Sequence, residues 1–403
     1  MDLLKKLLYF ALIAFPLGAV IRIKIVESVY IYPLDAAVGF IFLNILFIAI
    51  KSKKNIFKIP NFKALLYFAF FAFIGLLINP FHLPFMELLI SFLYLGRFLI
   101  YSSLLSVFVF FPLKFSSKYL FLLSLSGFVF VVLGLLQYLY YPDLRNLYYL
   151  GWDEHLYRLF STVLDPNFAG SILVLDLLLL LGLYQSKNNR AEWFKKLYLA
   201  GIFVALLSIF LTYSRSTFVM LLSSGIIYLF ITRQKNKIII LLLIIITGII
   251  ILPKSFKSEG VDLLRTASIT SRTQSYVNAL NIYKISPFLG TGFDSYRYVQ
   301  QKLGLLDQKN WQSTHSAAGV PNSLIFVMVT TGILGFVFYI NLWARFLKNV
   351  YYKVYGNNKL FYLYSAVFSS IIGIFIHSIF ENTLFYPFIM FWIFILLSFI
   401  GCR

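Results

Sequence analysis

Cysteine is almost missing from this chain: of 403 residues only Cys402 carries a thiol. No intrachain disulfide can form, so a loop facing an oxidising compartment must be held by packing alone. Charge is scarce too. Acidic and basic residues together make up 12% of the chain, against roughly 25% in an ordinary soluble domain, which excludes a string of soluble domains. Histidine occurs four times, and no clustering of His, Cys, Asp and Glu has the spacing of a metal site. Gly290-Thr291-Gly292 stands without the preceding strand and full fingerprint of a phosphate loop, and points instead to a turn or a close backbone approach. No internal repeat at a period of about 20–50 residues is visible, and no low-complexity segment beyond the apolar runs.

What remains is apolar. Sixty per cent of the residues are hydrophobic and the mean hydropathy is +0.84. Successive runs near 7–21, 32–50, 62–79, 86–111, 119–140, 166–184, 197–213, 216–232, 238–253, 322–344, 360–380 and 386–401 each suffice to cross a hydrocarbon core of about 30 Å as helices. The expected fold is all-α, a polytopic transmembrane helical bundle of about 12 spans with one large, partly helical periplasmic loop. Three regions follow: helices 1–9 over residues 1–253, the large loop over 254–321, and helices 10–12 over 322–403.

The net charge of +20 would suggest nucleic acid in a soluble protein, but here the position of the charges matters more than their sum. Alternating the spans puts 21 of the 35 basic residues on one face, from Lys5 and Lys6 through the clusters at 51–63, 187–196, 233–237 and 345–359. Only Asp2 and Glu192 accompany them as acids. Cytoplasmic enrichment in Lys and Arg sets orientation, so both termini are expected inside and the 254–321 loop outside. Lys5 and Lys6 precede the apolar Leu7–Val20 as in a signal peptide, but no convincing small-residue cleavage site follows, and the run reads as the first span.

Candidate chemistry lies where polar residues resist the pattern. Tyr213-Ser214-Arg215-Ser216 splits a stretch too long for one span, which places Arg215 at the external interface, either binding a phosphate or snorkelling to the headgroups. Arg158 precedes Asp165-Pro166-Asn167, which reads as a helix start capped by Asp165 or as part of a site for an anionic ligand that pairs with Arg158. In the long loop Ser271-Arg272-Thr273 opens an amphipathic stretch to Lys284. His315 sits close to the membrane before Asn322, where a group titrating near neutrality can take a proton from a sugar hydroxyl. His377 lies inside an apolar run and reads as a hydrogen-bond partner of a neighbouring helix. Tyr148, Tyr149, Trp152, Tyr157, Tyr296, Tyr298 and Trp311 could stack on sugars or form an interfacial belt.

The order of these features resembles the O-antigen ligase and O-antigen polymerase family: the Ser214-Arg215 hairpin, the loop with Ser271-Arg272 and Pro287–Gly292, then Asn322 and Gly332-Ile-Leu-Gly335. The resemblance implies a bacterial inner-membrane glycosyltransferase with its active face in the periplasm. It would move a saccharide from undecaprenyl diphosphate to an acceptor glycan or lipid A core. It assigns Arg215 and Arg272 to the lipid diphosphate and the 322–335 stretch to the end of the catalytic loop. The family's ligases carry a histidine where this chain has Pro321, which leaves His315 as the candidate base and favours a polymerase-like member. With guanidinium groups on the leaving diphosphate, inverting transfer needs no metal and no cofactor. Arg158, Asp165, Asn167 and Asn322 are then substrate-binding candidates. A rival reading is a transporter or flippase for polysaccharide or lipid-linked substrates, with Arg97 and Asp176 marking its path.

Overall fold

A computed structural model describes residues 2–26, 29–51, 61–111, 113–150, 153–186, 192–252, 261–263, 267–306, 319–356 and 360–401. Each of the twelve apolar runs contains a helix: α1 (Asp2–Ala14), α2 (Pro33–Lys51), α3 (Phe62–Ile78), α4 (Phe85–Ser102), α5 (Leu113–Tyr140), α6 (Pro166–Gln185), α7 (Glu192–Leu211), α8 (Arg215–Ile231) and α9 (Lys237–Ile251), then α12 (Ser323–Tyr355), α13 (Phe361–His377) and α14 (Pro387–Ile400). Among the described residues six helices are long and apolar enough to cross a membrane by length and composition, and five more are shorter apolar helices. The long loop supplies α10 (Ala267–Ile285) and α11 (Tyr296–Lys302).

The departures from the sequence reading have local causes. The first helix ends at Ala14 rather than near residue 21, because Pro16 lacks an N–H and the chain turns through Phe15–Leu17 into Gly18 at φ +60°. The chain is also not purely helical. Ile23–Val26 and Val29–Ile31, rich in β-branched residues, pair as antiparallel β1 and β2, with Ile23 opposite Ile31. The tenth run extends into a single element to Tyr355, broken at Gly332, whose φ of 66° is not helical.

Two helices occupy the middle of the bundle. All 14 residues of α14 are buried, as are most of α6; an apolar helix without a polar face belongs inside. Small residues bring their neighbours close. Gly170 of α6 packs against Thr217 of α8, and Gly373 of α13 against Ser224.

The long loop is docked on the bundle through its glycine-containing turn. Thr291 and Gly292 donate their N–H groups to Val329 and Thr330 (both 2.9 Å), and Ile333 donates to Pro287 (2.8 Å). The break at Gly332 frees backbone groups of α12, and the 287–292 turn satisfies them. Asn79, just past α3, completes the dock by donating to the Thr291 carbonyl at 2.7 Å. The turn is thus a backbone clasp, in line with the close approach that the sequence suggested.

Candidate functional site

Three helices that meet at one end of the bundle begin with a side-chain cap. Asp165 accepts from the N–H groups of Asn167 and Phe168, with Pro166 at the first helical position of α6. Ser214 accepts from Thr217 at the start of α8, and Asn322 from Leu324 and Ile325 at the start of α12. Each cap satisfies backbone donors left over by helix geometry. α14 starts at the same end, behind the 378–386 segment, which Ser323 holds: its N–H donates to Ser378 (2.8 Å) and its Oγ bonds the Glu381 carbonyl (3.3 Å).

Several of the sequence candidates lie at this end, in separate groups of contacts. Arg272, from α10, is ion-paired with Glu381. One turn later on the same helix, the Tyr276 hydroxyl donates to the Pro321 carbonyl at 3.1 Å and lies 3.2 Å from that of Ile379. Arg158 is buried and donates its Nε to the Thr212 carbonyl at 2.9 Å, bracing the turn where Tyr213 sits at φ +50°. Ser214 Oγ donates to Asn167 Oδ1 at 2.7 Å, which ties the start of α8 to that of α6. Arg215 follows directly and reaches the Leu263 carbonyl of the long loop at 3.4 Å. His315 lies outside the described residues, as do Trp152 and Trp311.

Glu381 was not singled out by the sequence reading. It occupies a short loop without a motif, although one signal was there: it is the only acid after Asp307. Its side chain is 12% exposed, against 27% for Arg272. Burial pushes its carboxyl up to about 8; Arg272 opposes the rise, Asp165 adds to it and Arg158 opposes it. Asp165 goes the other way: burial raises it, but His155, the Phe168 N–H and Arg158 outweigh burial and hold it below its ordinary value. His377, one turn before Glu381, is fully buried, and among the described residues neither ring nitrogen has a hydrogen-bond partner. The helix-to-helix bond expected of it is absent.

Asp153, His155 and Asp165 bring one ligand atom each within 4.8 Å of one another, and His155 Nε2 lies 3.9 Å from Asp165 Oδ2. This trio could offer a cation two oxygens and a nitrogen, although one Asp165 oxygen is committed to the cap of α6. Sequence spacing missed it because twelve residues separate Asp153 from Asp165. Tyr296 and Tyr298 are core residues, at 1% and 5% exposure, and are not open to a sugar ring. Arg97 is paired with Asp35 at 3.2 Å, while both carboxyl oxygens of Asp176 are buried without a hydrogen-bond partner among the described residues.

The comparison with protein families matches residues 200–340 to a model described as O-Antigen ligase. That segment contains Arg215, Arg272, His315 and Asn322; Arg158, Asp165 and Glu381 fall outside it. No curated protein matches the chain.

Proposed function

Taking as premise that residues 200–340 of this membrane protein are of the O-antigen ligase family, we propose that the chain transfers a saccharide from undecaprenyl diphosphate to an acceptor hydroxyl at the external face of the bacterial inner membrane. Arg215 and Arg272 hold the diphosphate. Arg158, Asp165, Asn167 and Asn322 shape the site around it, and both termini lie on the cytoplasmic side with the basic clusters. The observation that carries this reading is the pairing of Arg272 with Glu381 in the loop tied to the start of α12, where Glu381 also feels Asp165 and Arg158 beside the start of α6. Helix N-termini favour anions, and guanidinium groups match phosphate oxygens in a bidentate fork. Cations already in place stabilise the negative charge that grows on the leaving diphosphate.

In this reaction the acceptor oxygen attacks the anomeric carbon from the face opposite the diphosphate. The C–O bond to the diphosphate breaks, its electron pair leaves with the diphosphate, and the configuration inverts. The transfer needs no metal. The absence of the family's histidine at Pro321 favours a polymerase over a ligase.

The test is an assay with purified protein and a synthetic undecaprenyl-diphosphate oligosaccharide, with and without a chelator, following release of undecaprenyl diphosphate and product length. A ladder of longer lipid-linked chains establishes a polymerase; transfer only when lipid A core is supplied establishes a ligase. No turnover with any repeat unit, together with flux of the lipid-linked saccharide in proteoliposomes, would replace the reading with a transporter. Loss of turnover on chelation would overturn metal independence and direct attention to Asp153, His155 and Asp165.

A further inference from the structure

The Arg272–Glu381 pair presents a conflict that the proposed reaction must resolve. The arginine assigned to the donor's diphosphate is occupied by a carboxylate of the same chain. A diphosphate can bind Arg272 only by displacing Glu381 or sharing the guanidinium with it. Glu381 is anchored at the site: its backbone is tied to the end of α13 through Glu381 N–H to the His377 carbonyl (3.1 Å) and to the start of α12 through Ser323 Oγ, and its side chain is largely buried. Displaced, the carboxylate remains in the site, beside the group it has given up.

Resting on the reading above, we propose that Glu381 is a built-in competitor of the donor for Arg272 and, once displaced by the diphosphate, the proton acceptor for the attacking hydroxyl. The ionised carboxylate is the working form, and its share grows as pH rises through about 8; donor that takes up the Arg272 charge removes its strongest counter-ion and makes that carboxylate a stronger base. The step balances. The acceptor O–H proton passes to a Glu381 oxygen, the hydroxyl oxygen's electron pair forms the bond to the anomeric carbon, and the diphosphate departs with the electrons of the broken C–O bond. The base is thereby released only when a donor is present, and Glu381 takes the role for which the sequence offered His315. The charged and titratable groups around it are Arg272 and Tyr276 from α10, Arg158 and Asp165 from the segment before α6, and His377 from the last turn of α13.

The two parts predict opposite effects of one substitution. Glu381→Gln should bind undecaprenyl diphosphate more tightly, on the order of tenfold above about pH 8, while turnover falls by roughly 10²–10⁴-fold, the usual worth of a general base. Glu381→Asp should regain part of the turnover. Wild-type protein in nanodiscs gives an independent reading that needs no variant. Its affinity for undecaprenyl diphosphate should fall as pH rises from about 7.5 to 9, where the phosphates are already ionised, because the ionising carboxylate competes for Arg272. An affinity that is flat with pH and unchanged in Glu381→Gln overturns the competition. Wild-type turnover in Glu381→Gln, with turnover lost in His315→Ala, overturns the proton-acceptor role. Undiminished binding of undecaprenyl diphosphate to Arg272→Ala would instead overturn the underlying assignment of Arg272 to the diphosphate.

Discussion

Gly290 and Gly332 meet backbone against backbone: a β-carbon built on Gly290 would lie 2.6 Å from the Gly332 nitrogen. Both have positive φ, 72° and 66°, so each supplies a conformation that L side chains rarely adopt and a surface with no side chain in the way. Gly332→Ala should cost about 1–3 kcal/mol through backbone strain alone, and more through its clash with the Phe288 carbonyl. Because α10, which carries Arg272 near its start, runs at its other end into the clasp, we expect Gly332→Ala to lower glycosyl transfer more than it lowers the amount of protein in the membrane. Thermal unfolding in detergent, measured beside turnover, checks this.

Arg272→Lys should not be conservative. A lysine keeps the charge but offers no planar fork to two phosphate oxygens, so kcat/KM should drop by at least about tenfold, or 1.4 kcal/mol. Arg215→Ala should abolish transfer while the protein still reaches the membrane. Full activity in Arg215→Ala would remove it from the diphosphate site.

The helix caps give a prediction confined to stability. Asn322→Ala should destabilise by about 1 kcal/mol, and Asn322→Asp, which can still accept from Leu324 and Ile325, should recover most of that. An equal loss in both variants, read from thermal midpoints, would mean that capping is not what Asn322 contributes.

The dependence of stability on pH follows from two loop carboxyls raised by burial: Glu381 to about 8, and Asp294 to about 7 against the lowering pull of Arg297 and Arg97. Folded protein holds these protons where unfolded chain, with its ordinary carboxyls, has released them. Stability therefore declines as pH rises from about 4.5 to 8 and levels off above. Asp165 acts in the opposite sense, since its carboxyl is held low: its contribution is present above the ordinary value near 3.8 and is lost as pH falls through the lower folded value. Thermal midpoints should peak in mildly acidic buffer, and Asp294→Asn combined with Glu381→Gln should flatten the decline toward pH 8.

Much of the bundle was legible because apolar runs of helical length carry one message regardless of tertiary context, and Asp165-Pro166 marks a cap by local chemistry. Arg158, Asp165, Asn167 and Arg272 were singled out by the rule that polar groups at the membrane edge need a reason, and Asn322 by the family resemblance. The bland alternative for Asp165, capping, is what its carboxylate does. Glu381 escaped because its partner lies 109 residues away and no local pattern encodes a pairing across that distance. The metal-ligand trio escaped for the same reason. The break in α12 was half visible: Gly332 and Gly335 stood out, but only the folded chain shows the Pro287–Gly292 turn filling the gap.

The burial of α14 on every side has a bearing on assembly. The helix at the heart of the bundle also follows in the chain every helix it packs against, and the loop before it carries Glu381. Until that helix inserts, the earlier helices surround a slot instead of a core, and until the loop is in place Arg272 lacks its carboxylate partner. Core and candidate site are therefore completed by one continuous segment, so that neither forms without the other.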